Sequence, residues 1–113
     1  MVRAILGGMG FSNFALAENG LVAFKILQEA LRIDLIVCDW NMPHSSGLEL
    51  LKRVRGDVRL RNIPFLMLTA EAYRDSVEAA IAAGVSGYVV KPFTASTLSE
   101  KVLELMATAA PRF

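Results

Sequence analysis

Three polar side chains of this sequence stand where apolar stretches end, and together they indicate a chemical site. Asp39 follows one such stretch, Thr69 ends the next, and Lys91 follows the third. If the stretches are neighbouring parallel strands, about 4.8 Å apart, a carboxylate, a hydroxyl and an ammonium group meet at one sheet edge. Open α/β sheets bind ligands in the crevice at that edge. Alone, Asp39 could simply cap the following loop, but its coincidence with the two other strand ends favours a chemical role.

The stretch before Asp39 has the character of a strand that is buried on both faces. Residues 35–38 are all apolar, as in strands inside a parallel sheet. Pro43 follows closely and has no N–H to donate to a ladder. Cys38 lies within this stretch, and we expect an inert, buried thiol. The predicted strands are residues 13–17, 35–38, 65–69 and 87–91.

Helical patterns alternate with these strands. The predicted helices are residues 1–9, 19–31, 47–55, 71–83 and one that begins after Thr94, and the first is short. Three begin at residues that typically cap helix N-termini, namely Asn19, Ser46 and Thr94. Gly84 has the place of a left-handed C-terminal residue, and Ala80 and Ile81 before it are expected to face the core. Strands that alternate with helices indicate a parallel sheet with right-handed crossovers.

The composition predicts one folded domain without a dominant charge. The chain has 113 residues, 54% of them hydrophobic, and a net charge of +1, so we expect a single domain over residues 1–113. The balanced charge gives no reason to expect binding to nucleic acid or to an anionic membrane. No stretch approaches the roughly 18 apolar residues of a membrane span, and we expect a cytoplasmic protein.

Four motifs at these positions resemble a known family. They read DWNMP from residue 39, GLELLK from residue 47, TAEA from residue 69 and GYVVKPFT from residue 87. In order and spacing they look like the receiver domain of two-component response regulators, and most like its single-domain chemotaxis members. The resemblance implies a flavodoxin-like (CheY-like) α/β fold with a doubly wound parallel sheet, here of about four strands. It also implies a signalling protein rather than an enzyme.

The resemblance assigns a role to each residue at the sheet edge. Asp39 would be the phosphoacceptor, taking a phosphoryl group from a histidine kinase or a small donor as an aspartyl phosphate. Thr69 and Lys91 would each contact a phosphoryl oxygen, and the bond between Lys91 and Pro92 would be cis. Tyr88 would change rotamer together with Thr69. That change would pass the signal to a downstream protein at the surface formed by the last strand and the last two helices.

The resemblance has one gap, at the start of the sequence. A receiver domain begins with a strand that ends in two acids, whereas Met1 aligns inside the first helix, so that strand and its acids are missing here. Those acids help to bind Mg²⁺, and without them Asp39 and the backbone carbonyl of Asn41 remain as ligands. We therefore expect an N-terminally truncated receiver with weakened Mg²⁺ binding and phosphorylation. Glu18 is the candidate replacement acid, if residues 13–17 pair directly with the strand before Asp39.

Two hypotheses remain open at this point. The first is an active receiver that accepts phosphate on Asp39. The second is a phosphorylation-independent pseudo-receiver, a dimeric protein-interaction module that keeps the same residues without a working Mg²⁺ site. The missing strand would be an inner one, and an unpaired apolar strand edge invites a partner. We therefore expect a homodimer.

Overall fold

Parallel strands form the sheet that carries the candidate residues. The structure is a computed structural model, and it describes residues 2–10, 19–30, 32–40, 46–70 and 74–108. In these residues the strands are β1 (Ile36–Asp39), β2 (Phe65–Thr69) and β3 (Gly87–Val90), in the order β1-β2-β3. The predicted α/β class with a parallel sheet is therefore confirmed. The predicted strand at 13–17 lies outside the described residues.

Helices alternate with the strands as the sequence predicts. Those in the described residues are α1 (Val2–Gly8), α2 (Gly20–Glu29), α3 (Gly47–Gly56), α4 (Arg74–Ala82) and α5 (Ala95–Thr108). Each parallel pair of strands is joined through a helix, since parallel strands need a crossover connection. Within the described ranges, no helix combines the length and the apolar character that a membrane span requires.

Local side-chain chemistry starts three of these helices at the predicted residues. The side-chain oxygens of Asn19, Ser46 and Thr94 each accept a hydrogen bond from the N–H three residues later, at 3.0, 3.2 and 3.1 Å. Each bond satisfies one of the backbone donors that a helix leaves unpaired at its start. Gly84 follows α4 with a φ of 91°, the left-handed conformation predicted for it.

The middle of the described sheet is β2, and β1 is less buried than its sequence predicts. All five residues of β2 are buried, whereas in β1 Val37 is half-buried and Asp39 is exposed. The prediction that residues 35–38 are covered on both faces is therefore wrong at Leu35 and Val37, which are half-buried. The physical reason is that these two side chains face the cluster formed with α1 and α5, which covers them only in part, while Ile36 and Cys38 are buried in the core of the opposite face.

The two faces of the sheet pack against different helices. On one face, the core contains Met67 of β2 together with Leu27 of α2 and Leu51 of α3. On the other face, Leu66 of β2 packs in a cluster with buried leucines of α1 and α5. Alternate residues of one strand thus anchor both helical layers. The strands are held from both sides, which fixes the positions of their carboxyl ends.

Helix α4 presents a different face to the core than the apolar pattern predicts. Ala80 is fully buried, but Ile81 is 64% exposed. Because a helix has about 3.6 residues per turn, burying Ala80 turns the next residue away from the core. The predicted inward position of Ile81 is wrong, and Ile81 belongs to the protein surface.

Candidate functional site

The parallel register brings the predicted residues to one edge of the sheet. Asp39 is opposite Leu68 in the β1–β2 pairing, and Thr69 is opposite Val90 in the β2–β3 pairing. Thr69 therefore lies one residue beyond the position opposite Asp39, and Lys91 directly follows β3. The three carboxyl ends meet at this edge, as the sequence predicts.

Asp39 and Lys91 form an ion pair across this edge. Lys91 Nζ donates to Asp39 Oδ1, although 52 positions separate the two residues in the chain. Their side chains remain 48% (Asp39) and 43% (Lys91) exposed. An exposed ion pair contributes at most about 1 kcal/mol to stability, so the fold does not depend on this one. The exposure leaves the carboxylate open to a reactant from solvent.

Thr69 reaches the same edge from the middle strand. Its exposed fraction is 1%, so its hydroxyl sits in a largely water-excluded position. The Thr69 carbonyl accepts the Lys91 N–H at 2.7 Å, which continues the β2–β3 ladder by one residue. The bond between Lys91 and Pro92 is cis, as predicted. Asp39, Thr69 and Lys91 thus share one sheet edge, and their roles in phosphoryl transfer stay predictions.

Tyr88 lies within β3, on the face of the sheet that α2 and α3 cover. It is half-buried and packs against the core cluster of that face, and its register partner on β2 is Met67. The half-buried environment matches the expectation for a tyrosine with an apolar body and a polar tip. Its change of rotamer together with Thr69 stays a prediction.

The thiol of Cys38, next to Asp39, is held in its protonated form. Burial, and then the negative charge of Asp39, raise the pKa of the Cys38 thiol to about 12. Its Sγ donates to the Asp39 carbonyl oxygen at 3.2 Å. Because the thiolate is the reactive form, Cys38 is a packing residue at neutral pH, in line with the sequence prediction.

The described residues do not by themselves fit a magnesium site. Across the ranges that the structure describes, no group of three or more His, Cys, Asp or Glu side chains could hold a metal ion. Asp39 is the predicted ligand that falls within them, while Asn41 and Glu18 lie outside. Mg²⁺ takes about six oxygen ligands. This edge therefore supplies part of a ligand set, and a complete site needs oxygens from elsewhere.

Sequence reasoning missed one residue of this site. Gly47, the first residue of α3, donates its N–H to the Trp40 carbonyl at 2.7 Å. It also packs directly against the backbone of Asp39. The motif contains this glycine, but nothing in its spacing tells what it touches. The available signal is that glycine weakens a helix relative to alanine, so a glycine at a helix start can indicate a close approach.

Comparisons with known proteins place this geometry among receiver domains. The family model described as "Response regulator receiver domain" matches residues 1–103. The chemotaxis protein CheY of Pseudomonas aeruginosa is 48% identical over 102 residues, which cover 90% of this chain and 82% of that protein.

Solved structures show the same fold. The chemotaxis response regulator CheY4 of Vibrio cholerae is 34% identical with a TM-score of 0.83, over 93% of this chain and 86% of that one. The receiver domain of a sensor histidine kinase of Pseudomonas aeruginosa is 25% identical, also with a TM-score of 0.83, over 95% and 86%. That structure has a magnesium ion coordinated in its active-site cleft.

Proposed function

Because the chain belongs to the family of response regulator receiver domains, we propose that Asp39 accepts a phosphoryl group from a histidine kinase or a small phosphodonor. The observation that supports this most is the Asp39–Lys91 pair at the carboxyl edge of the sheet, half-exposed beside the buried Thr69. The exposed carboxylate is the nucleophile, and the neighbouring ammonium offsets negative charge. The chain thus acts in two-component signalling rather than in metabolic catalysis.

The proposed chemistry needs these three side chains in distinct roles. A carboxylate oxygen of Asp39 attacks the donor phosphorus, a new P–O bond forms, and the bond from phosphorus to the donor's leaving group breaks. Lys91 moves from the free carboxylate to a phosphoryl oxygen, because its compact ammonium group is attracted to the negative charge that the phosphoryl group brings. The Thr69 hydroxyl donates to another phosphoryl oxygen. Water then cleaves the acyl phosphate and restores the free carboxylate.

The proposal includes a weakened Mg²⁺ site at this edge. A bound Mg²⁺ would supply charge neutralisation for the phosphoryl group. Asp39, the backbone carbonyl of Asn41 and Glu18 as replacement acid are the candidate ligands. The reason to expect weak binding is that the Asp39 carboxylate is already paired with Lys91, so Mg²⁺ must compete with the ammonium group for it.

The output side of the proposal is the surface formed by β3, α4 and α5. Tyr88 would couple Thr69 to this surface by a change of rotamer, and a downstream protein would bind there. Exposed apolar side chains support a binding role for it: Ile81 on α4 is 64% exposed and Leu103 on α5 is 61% exposed.

A second candidate function is a phosphorylation-independent, homodimeric interaction module. The ion pair with Lys91 favours it, because it already engages the Asp39 carboxylate. In that case the fold would present binding surfaces, and Asp39 would serve only in the ion pair with Lys91.

One titration separates the two candidates. Trp40 directly follows Asp39, so its fluorescence reports on the acceptor site when Mg²⁺ is added. We expect saturable quenching at millimolar Mg²⁺ that Asp39→Asn abolishes. No response, combined with a dimer in sedimentation velocity, would instead support the interaction module. A monodisperse monomer would count against the homodimer.

A further inference from the structure

The start of α3 leaves no room for a side chain next to the acceptor. A Cβ built on Gly47 would overlap the Asp39 carbonyl oxygen, and it would lie 2.8 Å from Met67 Sδ and 3.1 Å from the Asp39 carbonyl carbon. The approaches to the carbonyl oxygen and to Sδ are closer than real Cβ atoms come to other heavy atoms. Among the described residues, no atom lies within 4 Å of a Cβ built on Gly56, the last residue of the same helix.

Gly47 therefore holds the acceptor backbone from two directions. Its missing side chain allows contact with the Asp39 carbonyl, and its N–H donates to the Trp40 carbonyl at 2.7 Å. Gly47 has an ordinary helical conformation, so glycine is needed here for space and not for a left-handed φ. The preceding residue, Ser46, caps the helix and fixes its first turn.

We propose that Gly47 is a positioning residue for the phosphoacceptor, an inference that rests on the proposed function of Asp39. A side chain at position 47 must push apart α3 and the end of β1. Helix α3 cannot retreat easily, because its Leu51 and Val54 are fully buried, whereas β1 ends at Asp39, whose side chain is exposed. The displacement then falls on the end of β1, and the Asp39 carboxylate moves relative to Lys91 and Thr69.

The test compares two glycines of one helix. Gly47→Ala and Gly56→Ala each add one methyl group to α3, at the crowded and at the open end. Both are assayed for phosphorylation by a small phosphodonor with Mg²⁺, over a series of donor concentrations. A displacement of about 1 Å can cost roughly a hundredfold in rate. We expect Gly47→Ala to lower the maximal rate about 10- to 100-fold without changing the half-saturating donor concentration, and Gly56→Ala to leave both unchanged.

A stability control separates positioning from simple destabilisation. Val54→Ala creates a cavity on the core side of α3, and it is assayed at a temperature where all variants are folded by circular dichroism. If Val54→Ala slows phosphorylation as much as Gly47→Ala does, the role of Gly47 is structural only and the inference is overturned. The same holds if Gly47→Ala keeps the parent rate.

A second readout keeps the inference testable if the parent chain is not phosphorylated. That result would contradict the proposed function but not the placement of Asp39 by Gly47. The ¹H–¹⁵N spectra of Gly47→Ala and the parent then decide. Shifts of the Asp39 and Lys91 amides beyond those in Gly56→Ala support positioning, and changes confined to α3 overturn it.

Discussion

The two ends of the sheet differ in how their charged side chains are held. At the carboxyl end, Asp39 and Lys91 are joined by one ion pair and are both nearly half exposed. At the amino end, the guanidinium of Arg55 donates to the carbonyls of Ile63 at 2.7 Å and Gly84 at 2.7 Å, and to Ser86 Oγ at 3.0 Å. It also reaches the Arg61 carbonyl at 3.0 Å.

The difference suggests that the amino end of the sheet contributes mainly to folding stability and the carboxyl end mainly to chemistry. The planar guanidinium directs its donors at three carbonyls and one hydroxyl that lie 6 to 31 positions away in the chain, and burial lowers its pKa. Ser86 Oγ also accepts the Phe65 N–H at 3.0 Å, so the start of β2 is tied into the same set of bonds. The amino end thus supports the fold, while the carboxyl end keeps its charged groups accessible.

Removing the guanidinium of Arg55 should cause the largest loss of folding stability. Arg55→Met keeps an unbranched apolar stem but deletes all four hydrogen bonds, so we expect the free energy of unfolding to fall by about 2–4 kcal/mol. Denaturant unfolding measures it. Arg55→Lys should recover only part of the lost unfolding free energy, because an ammonium group cannot reproduce the planar set of N–H donors of a guanidinium. A loss below about 1 kcal/mol for Arg55→Met would contradict a supporting role of the amino end.

The Cys38 thiol should make stability fall at alkaline pH. The thiol ionises near pH 9.0 when unfolded but near pH 12 when folded, so above pH 9 the folded state binds the extra proton. Its contribution to stability is therefore complete below pH 9 and is lost towards pH 12, by up to about 1.4 kcal/mol per pH unit. The difference in unfolding free energy between the parent and Cys38→Ala isolates this contribution. Equal slopes for the two proteins from pH 9 to 11 would contradict it.

Loss of the cap at the start of α3 should have a smaller effect. Ser46→Ala removes the acceptor for the Glu49 N–H, and we expect a loss of about 1 kcal/mol in thermal or denaturant unfolding. Ser46→Asp is the matched control, since aspartate caps helices as well as serine does. If Ser46→Asp were as unstable as Ser46→Ala, the cap would not be the cause.

Breaking the ion pair should hardly affect stability but should impair the chemistry. We expect Lys91→Met to change the unfolding free energy by at most about 1 kcal/mol, as for other exposed pairs. Its phosphorylation rate should fall at least about tenfold, because a charge that stabilises the transition state is lost. Lys91→Arg keeps the charge and serves as control. If Lys91→Met lost much stability but kept its phosphorylation rate, the carboxyl end of the sheet would serve the fold and not the chemistry, and the comparison of the two ends would be wrong.

The sequence predicted those features that depend on local chemistry. Asn19, Ser46 and Thr94 cap helices because their side chains reach backbone donors three residues away. The meeting of Asp39 with Lys91 followed from where apolar stretches end, given parallel strands.

Contacts between distant residues that neither a strand end nor a local motif indicates could not be predicted. The hydrogen bonds of Arg55 join residues up to 31 positions away, and no period in the sequence reveals them. The exposure of Ile81 depends on which side of α4 meets the core, a choice that a short apolar pattern leaves open. The contact of Gly47 with Asp39 likewise depends on how closely α3 packs on β1.

The most direct test of the central claim is the intact mass of the protein after incubation with a small phosphodonor and Mg²⁺. We expect the parent chain to gain the mass of one phosphoryl group, which hydroxylamine removes because an acyl phosphate is labile to it. Asp39→Asn should gain nothing under the same conditions. A parent chain that stays unmodified at saturating donor and Mg²⁺, or an Asp39→Asn variant that is modified equally, would contradict the assignment of Asp39 as the phosphoacceptor.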